Sequence, residues 1–148
     1  MADGQSTPGR ARDQLSGLLT QLTGRVPGMT HAALTTGDGL LVAACDACDK
    51  DTVDRLAAST TGIYSLGGAS FQGLPGGVRQ IVIEHDAGCL FVMAAGLAGG
   101  AAVGTILVVR TTPEADAGLV GHLMTEFIRG LDEHLVVAAR RNDTYSLR

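Results

Sequence analysis

The chain has 148 residues, which suits one domain with short tails and is too short for two. Its 15 acidic and 11 basic residues give a net charge of -4, and no Lys/Arg stripe interleaved with aromatic residues is present to meet a phosphate backbone. Composition and charge therefore argue against nucleic acid as a ligand. The first twelve residues lack the basic stretch and apolar run of a secretory signal, so we expect a reducing cytoplasmic location in which the three cysteines are thiols.

The predicted elements begin with an amphipathic helix that is followed by a hairpin. The helix ends at Pro27 and Gly28, which stop a helical pattern. Its apolar stripe comprises Leu15, Leu18, Leu19, Leu22 and Val26. The hairpin joins strands His31–Thr36 and Leu40–Cys45 through residues 37–39, a Gly-Asp-Gly turn that supplies positive backbone angles. These two strands should pair directly.

A second helix, predicted over residues 53–69, has two nearly uncharged faces, which a small domain that acts alone seldom needs. Asp51 is its expected N-cap, and Asp54 follows in the first turn. The predicted core stripe comprises Val53, Leu56, Ala57, Thr60, Ile63, Tyr64 and Gly67. The opposite face is a strip of small residues: Ala58, Ser59, Gly62, Ser65, Leu66 and Ala69. The strip indicates that another protein covers this helix, the alternative being a face that is merely small and solvated.

Three more strands are predicted after a glycine-rich loop. Strand three, Val78–His85, mixes polar and apolar residues on both sides, as an edge strand does. Strand four, Cys89–Ala95, and strand five, from about Ala102 to Val109, are apolar on both sides and should be central. The 21 residues from Cys89 to Val109 carry no charge and are long enough to span a membrane. Glycines at 96, 99 and 100 interrupt them, so two strands are favoured and membrane insertion is not expected.

The last helix is predicted to open with Thr112 as N-cap and Pro113 as its first residue. Its stripe comprises Val120, Leu123, Met124, Phe127, Ile128, Leu131 and Leu135. The element order α-β-β-α-β-β-β-α then predicts an α/β sandwich of three layers, with helices on both faces of one sheet. We place the domain at residues 13–138, between flexible tails at residues 1–12 and 139–148.

No motif for catalysis or for ligand binding accompanies these elements. Cys45 and Cys48 form a C-x-x-C, but a closed zinc site needs four ligands and no second pair is present. The pair also precedes the second helix by several residues instead of opening a helix, so incidental thiols are expected. The aspartates between Asp46 and Asp54 lack the spacing of a calcium loop, and the glycine-rich segments lack the lysine of a phosphate-binding loop. No metal, no cofactor and no enzymatic activity are therefore expected.

Six short motifs occur in an order that is specific although each motif alone is weak. They are Val26-Pro27-Gly28, His31-Ala32-Ala33-Leu34, Gly37-Asp38-Gly39-Leu40, Asp54-Arg55-Leu56-Ala57-Ala58, Val78-Arg79-Gln80 and Leu90-Phe91-Val92. With a closing long helix, this order resembles the bacterial Roadblock/dynein light chain family, especially its actinobacterial members, from about Leu15 to Leu135. The resemblance implies a five-stranded antiparallel sheet and a homodimer in which third strands pair and second helices lie side by side. It also implies a small Ras-like GTPase as partner, since family members regulate or scaffold such GTPases.

The resulting hypothesis is a non-enzymatic homodimeric regulator or scaffold that modulates the nucleotide state of a small Ras-like GTPase. The expected partner-binding residues are Asp54, Arg55, Ala58, Ser59, Gly62, Ser65 and Leu66. Those expected at the dimer interface are Gly62, Leu66, Ala69, Val78, Gln80 and Val82. A direct arginine finger would come from Arg55 or Arg79. Two alternatives are a small-molecule sensor domain with a pocket between sheet and helix, and a thiol redox switch through Cys45 and Cys48.

Overall fold

A computed structural model describes residues 7–95 and 104–146 of the chain. The elements are α1 (Thr7–Gly24), β1 (Met29–Thr36), β2 (Leu41–Ala44), α2 (Lys50–Ala69), β3 (Gln80–His85), β4 (Gly88–Ala94), β5 (Thr105–Thr111) and α3 (Ala117–Ser146). This is the predicted element order. The strands form one antiparallel sheet in the order β2-β1-β5-β4-β3. The direct pairing of β1 with β2 and the edge position of β3 are thus confirmed.

Helices cover both faces of this sheet, which gives the predicted three layers. On one face α1 and α3 bury Leu19 and Met124 against strand residues such as Leu34 and Leu107. On the other face α2 lies over a smaller cluster. Its buried members are Ala33, Val92, Ile106 and Val108. Alternate residues of each central strand therefore belong to opposite cores, which is why these strands are apolar throughout.

The long uncharged segment is divided between two strands, as the sequence predicted. Residues 91–95, in β4 and just after it, are buried, and so are residues 106–109 of β5. The glycines expected to turn the chain between these strands lie outside the described residues. Within the ranges that the structure describes, no helix combines the length and the apolar character needed to cross a membrane.

The start of α2 differs from the prediction. Asp49, not Asp51, is the N-cap: its Oδ2 accepts a hydrogen bond of 3.0 Å from the N–H of Thr52. The backbone carbonyl of Asp49 also accepts from the N–H of Val53 at 3.1 Å. Several aspartates compete for this position, and the one whose side chain reaches the third N–H of the helix satisfies an otherwise unpaired donor.

The start of α3 also lies later than predicted. Asp116 precedes the first helical residue, and its Oδ1 accepts a hydrogen bond of 3.1 Å from the N–H of Leu119. Thr112 instead donates its backbone N–H to the carbonyl of Gly28 at 2.8 Å. Thr112 is thereby held beside the start of β1, so residues 113–115 form a turn before the helix begins.

Both terminal helices extend past the predicted domain limits of residues 13–138. The helix α1 begins at Thr7, with Pro8 in the first turn, where the missing N–H of proline costs no helical hydrogen bond. The helix α3 continues to Ser146, because residues 132–146 contain no glycine or proline to end it. Residues 7–12 of the predicted N-terminal tail and residues 139–146 of the predicted C-terminal tail are therefore helical.

Removing the N-cap of α2 should lower the thermal stability of the protein. Asp49→Ala leaves the N–H of Thr52 without its acceptor, whereas Asp49→Asn keeps an amide oxygen there. We expect the melting temperature at neutral pH to fall further for the alanine variant than for the asparagine variant. Circular dichroism melts of both variants measure the difference, and equal melting temperatures for Asp49→Ala and the unsubstituted chain would contradict the assignment.

The same cap should give a defined pH dependence. Hydrogen bonding from the side chain and then the backbone of Thr52 lowers the pKa of the Asp49 carboxyl. A carboxyl with a lowered folded-state pKa stabilises the fold above its ordinary pKa and loses that contribution as pH falls through the lowered value. The difference in melting temperature between the unsubstituted chain and Asp49→Asn should therefore disappear in acid.

Candidate interaction surface

The helix α2 lies diagonally on the sheet. Its first half contacts β1 and β2, and its last turn lies on β3. A Cβ at Gly67 would be 3.1 Å from Cδ1 of Ile81, so the absence of a side chain allows this close approach. Tyr64 donates its hydroxyl to the carbonyl of Val78 at 3.4 Å, just before β3. These contacts hold the end of the helix at the edge of the sheet.

The predicted core stripe of α2 is only partly buried. Val53, Leu56, Ala57 and Thr60 are buried, as predicted. Ile63, Tyr64 and Gly67 are half-buried. The second half of the helix, which ends at the edge of the sheet, therefore buries less of its stripe than the first half does.

The strip of small residues on the other face of α2 is exposed along its whole length. The exposed residues are Ala58, Ser59, Gly62, Ser65, Leu66 and Ala69. Around a Cβ built at Gly62 there is no atom within 4 Å, so the strip is a shallow surface. The hydroxyl of Ser59 donates to the carbonyl of Leu56 at 3.1 Å and is satisfied within its own helix. Asp54 and Arg55, at the beginning of the strip, are exposed as well.

The strand β3 is an edge strand, and α2 covers it only at Ile81. Every residue of β3 is exposed except Ile81, which is half-buried beneath α2. Val82 and Ile83 are both exposed although they point to opposite faces of the sheet, as their partners Phe91 and Leu90 show. An exposed apolar edge of this kind is a ready template for another strand. Val78, predicted as strand, lies half-buried before β3, whose observed start is Gln80.

The free edge of β3 offers the backbone groups of alternate residues. The N–H of Ala94 donates to the carbonyl of Arg79 at 3.0 Å, which marks a hydrogen-bonded pair in the β3–β4 ladder. In an antiparallel ladder such pairs alternate with pairs whose backbone groups point away from the partner strand. The N–H and C=O groups of Gln80, Val82 and Glu84 therefore point outward.

A cleft of about 480 Å³ lies on the half of the sheet that α2 leaves uncovered. Cross-strand register places His31 beside Arg110, Arg110 beside Leu90, and Leu90 beside Ile83. His85, two residues after Ile83, completes the rim. We refer to this row of residues as the sheet-end cleft. Among the described residues that line it none is acidic, although the chain as a whole is.

The charge of the sheet-end cleft is carried chiefly by Arg110. Partial burial and then the neighbouring Arg110 guanidinium lower the pKa of His31, and the Asp49 carboxylate opposes this shift. His31 is therefore mostly neutral at neutral pH. Arg110 is exposed and makes no salt bridge with any residue in the described ranges. The cleft thus combines an apolar floor with an unpaired cation.

The loop after α2 carries two large apolar side chains that sequence reasoning did not single out. Phe71 is 66% exposed and Leu74 is 64% exposed. Turn hydrogen bonds order the loop, with the N–H of Phe71 donating to Gly68 and that of Leu74 donating to Phe71, each at 3.1 Å. Between this loop and β3 lies a second open cleft of about 630 Å³. The sequence signal that could have identified them is the presence of two bulky apolar residues in a loop rich in glycine and proline.

Cys45 and Cys48 form a disulfide, so the prediction that both are thiols is wrong. The N–H of Cys48 donates to the carbonyl of Cys45 at 3.1 Å and closes a turn, which brings their Cα atoms to 5.6 Å. This separation lies within the usual range for disulfides. Cys45 is buried in the core, whereas Cys48 is half-buried. Cys89 is a free thiol, as predicted.

The remaining candidates for chemistry lie on different elements of the fold. Arg55 on α2 and Arg79 before β3 are both exposed. Among the described residues no three His, Cys, Asp or Glu side chains are grouped so that they could hold a metal ion. The surface of interest is therefore the α2 strip, the β3 edge, the loop after α2 and the sheet-end cleft.

The architecture defines a class of protein: a small three-layer α/β domain whose antiparallel sheet has the order β2-β1-β5-β4-β3. The family model of the Roadblock/LC7 domain matches residues 15–111. The chain belongs to the Roadblock/LC7 family. No curated protein matches it significantly.

Solved structures agree with this family. A crystal structure of a Roadblock/LC7 domain from Streptomyces avermitilis is 36% identical, covers 82% of this chain and 97% of that chain, and has a TM-score of 0.72. Myxococcus xanthus MglB is 17% identical, covers 84% and 90% of the two chains, and has a TM-score of 0.69. The gliding protein MglB of Thermus thermophilus is 19% identical, covers 86% and 90%, and has a TM-score of 0.65. The two MglB structures share the fold.

Proposed function

We propose that this protein is a non-enzymatic homodimeric regulator or scaffold in the cytoplasm that binds a small Ras-like GTPase and modulates its nucleotide state. The observation that carries the proposal is the exposed, nearly uncharged α2 strip beside the unpaired edge of β3. A small domain that acts alone gains nothing from leaving both surfaces open. The kind of partner, a small Ras-like GTPase, is the one that the family resemblance implies.

The dimer in this proposal pairs β3 with β3 of a second copy and brings the two α2 helices side by side. The strip has few bulky side chains, so a second helix backbone can approach closely at Gly62 and Ala69. Leu66 and the edge residues Gln80 and Val82 add contact area. Val78 contributes less than the other expected interface residues, because a Cβ at Gly67 of its own helix would already contact its side chain at 3.5 Å.

The GTPase in this proposal contacts the exposed face of α2 from Asp54 to Leu66. Asp54 and Arg55 give this end its charge, whereas Ala58, Ser59 and Ser65 keep the surface flat. A partner shifts a nucleotide equilibrium only through better binding to one of the two states, so regulation requires a surface that fits one arrangement of the switch loops. Direct supply of an arginine finger from Arg55 or Arg79 is a secondary mechanism.

Gly62→Trp tests the proposal directly. The tryptophan fills the strip without touching the core, since no atom lies within 4 Å of a Cβ at this position. We expect a folded monomer that no longer binds the GTPase. Sedimentation velocity measures the dimer, and nucleotide hydrolysis and exchange rates are measured with the Ras-like GTPase encoded nearest to this chain.

Gly17→Trp is the matched control, because Gly17 is also an exposed helical glycine with open space around its Cβ but lies on α1. This variant should dimerise and act as the unsubstituted chain does. Unchanged nucleotide rates and no complex with the unsubstituted chain would reject the regulatory proposal, and a dimeric Gly62→Trp would reject the strip as its interface.

A further inference from the structure

We propose that Phe71 of each subunit seats in the sheet-end cleft of the other subunit, so that the loop after α2 forms a reciprocal contact across the dimer. The inference rests on the β3-paired dimer proposed above. It assigns a partner to a loop and a cleft that are both exposed in one chain.

The outward-pointing backbone groups select one register for β3 pairing. A two-fold axis at Val82 places Val82 opposite its own copy and Gln80 opposite Glu84, so every outward-facing residue of β3 enters a hydrogen-bonded pair. Axes at neighbouring positions leave some of these groups unpaired, and an axis at Glu84 would set two carboxylates against each other. The register centred on Val82 is therefore the best satisfied.

This register brings the end of α2 in one copy next to the sheet-end cleft of the other. With Val82 at the axis, Ile81 of one copy lies opposite Ile83 of the second copy, on the sheet face that carries α2. The last turn of α2 lies on Ile81, as the 3.1 Å approach at Gly67 shows. Strands in a sheet are about 4.8 Å apart, so Leu90 of the second copy, two strands away, is about 10 Å from Ile81 across the sheet. Phe71 lies four residues after Gly67, so its side chain can reach Ile83 and Leu90 of the second copy.

The chemistry of the cleft fits an aromatic ring. Ile83 and Leu90 form an apolar floor, and the unpaired Arg110 offers a guanidinium to the face of a ring. Within residues 9–95 and 104–133, Phe71 is the one exposed side chain among phenylalanine, tyrosine and tryptophan. Its loop is free of charge, so seating it places no carboxylate or ammonium group in an apolar site.

The size of a stable interface supports the same contact. The strand β3 has six residues, whereas a standard protein interface uses about 20–30 residues on each side. A stable dimer therefore needs contact area beyond that of the paired β3 strands and the α2 strip. The loop and the cleft supply it on the same sheet face, on both sides of the two-fold axis.

Disulfide trapping tests the contact. The variant carries Phe71→Cys and Ile83→Cys in a Cys89→Ser background, which removes the free thiol. Under a mild oxidant we expect a covalent dimer on non-reducing gels, because each cysteine at position 71 meets position 83 of the other subunit. A matched control replaces Phe71→Cys with Leu40→Cys, at an exposed apolar residue on the β2 side of the sheet, and should stay monomeric on the gel.

Substitution gives an independent measurement. Phe71→Ala should raise the dimer dissociation constant at least about tenfold, as loss of a buried aromatic contact does. Leu74→Ser should raise it less, and Leu40→Ser should leave it unchanged, although Leu40 and Leu74 are equally exposed at 64%.

The outcomes separate this inference from the proposed function. If the unsubstituted chain is a dimer that Gly62→Trp dissociates, yet Phe71→Ala dimerises normally and no trapped dimer forms, the Phe71 contact is wrong and the proposed dimer stands. If the unsubstituted chain is monomeric at micromolar concentration, both are overturned. Trapping together with weakened dimerisation of Phe71→Ala supports both.

Discussion

Val82→Pro should be a folded monomer in sedimentation velocity, with a dimer dissociation constant raised about a hundredfold or more, which equals about 2.7 kcal/mol of binding free energy. The N–H of Val82 points away from β4, so its loss spares the ladder inside the chain. On the free edge, proline removes a donor and places a ring where a second strand would lie. The variant therefore separates pairing between copies from pairing within one chain.

Val82→Thr is the matched control for this variant. Threonine keeps the β-branched shape and the backbone N–H, so it should dimerise nearly as the unsubstituted chain does. Circular dichroism establishes that both variants are folded. A Val82→Pro variant that stays dimeric at micromolar concentration would show that β3 is not the contact between copies.

Leu19→Ala should lower the free energy of unfolding by about 2–5 kcal/mol, because it opens a cavity between α1 and the sheet. Leu19 is fully buried in the core shared by α1 and α3. Urea denaturation of the isolated chain measures the change. With a loss this large, a marginally stable domain would be partly unfolded at 37 °C.

Leu18→Ala is the control, since it makes the same chemical change one residue earlier. Leu18, predicted in the apolar stripe, is 37% exposed and belongs to neither core cluster. Its truncation should cost less than about 1 kcal/mol. Equal effects at the two positions would mean that α1 is rotated about its axis from the orientation that buries Leu19.

The spacing of apolar residues predicted the helices and strands well, because burial of a helix or strand face imposes that spacing. The helices α1, α2 and α3 and the five strands follow from apolar spacing, and the charge-free residues of β4 and β5 correctly indicated central strands. Helix starts were less predictable: Asp49 and Asp51 are both able to cap α2, and only the contact with Thr52 distinguishes them. Ile63 shows the same limit, because its stripe position is correct but the end of α2 lies at the edge of the sheet, where Ile63 is only half-buried.

The interaction surface was predictable only where it follows from a single element. Exposure of the α2 strip and the edge position of β3 could be inferred from residue types along one helix and one strand. The sheet-end cleft could not, because it depends on which half of the sheet α2 leaves open. Nor could the Cys45–Cys48 disulfide, since a C-x-x-C spacing does not reveal the turn that joins the two residues.

The Cys45–Cys48 bond gives this polypeptide two chemically distinct forms whose masses differ by two hydrogen atoms. The bond sits in the turn between the end of β2 and the cap of α2, immediately before Asp49. A purification buffer that contains dithiothreitol therefore selects a different form from one without it. Comparisons of association between laboratories need intact mass spectrometry of each preparation.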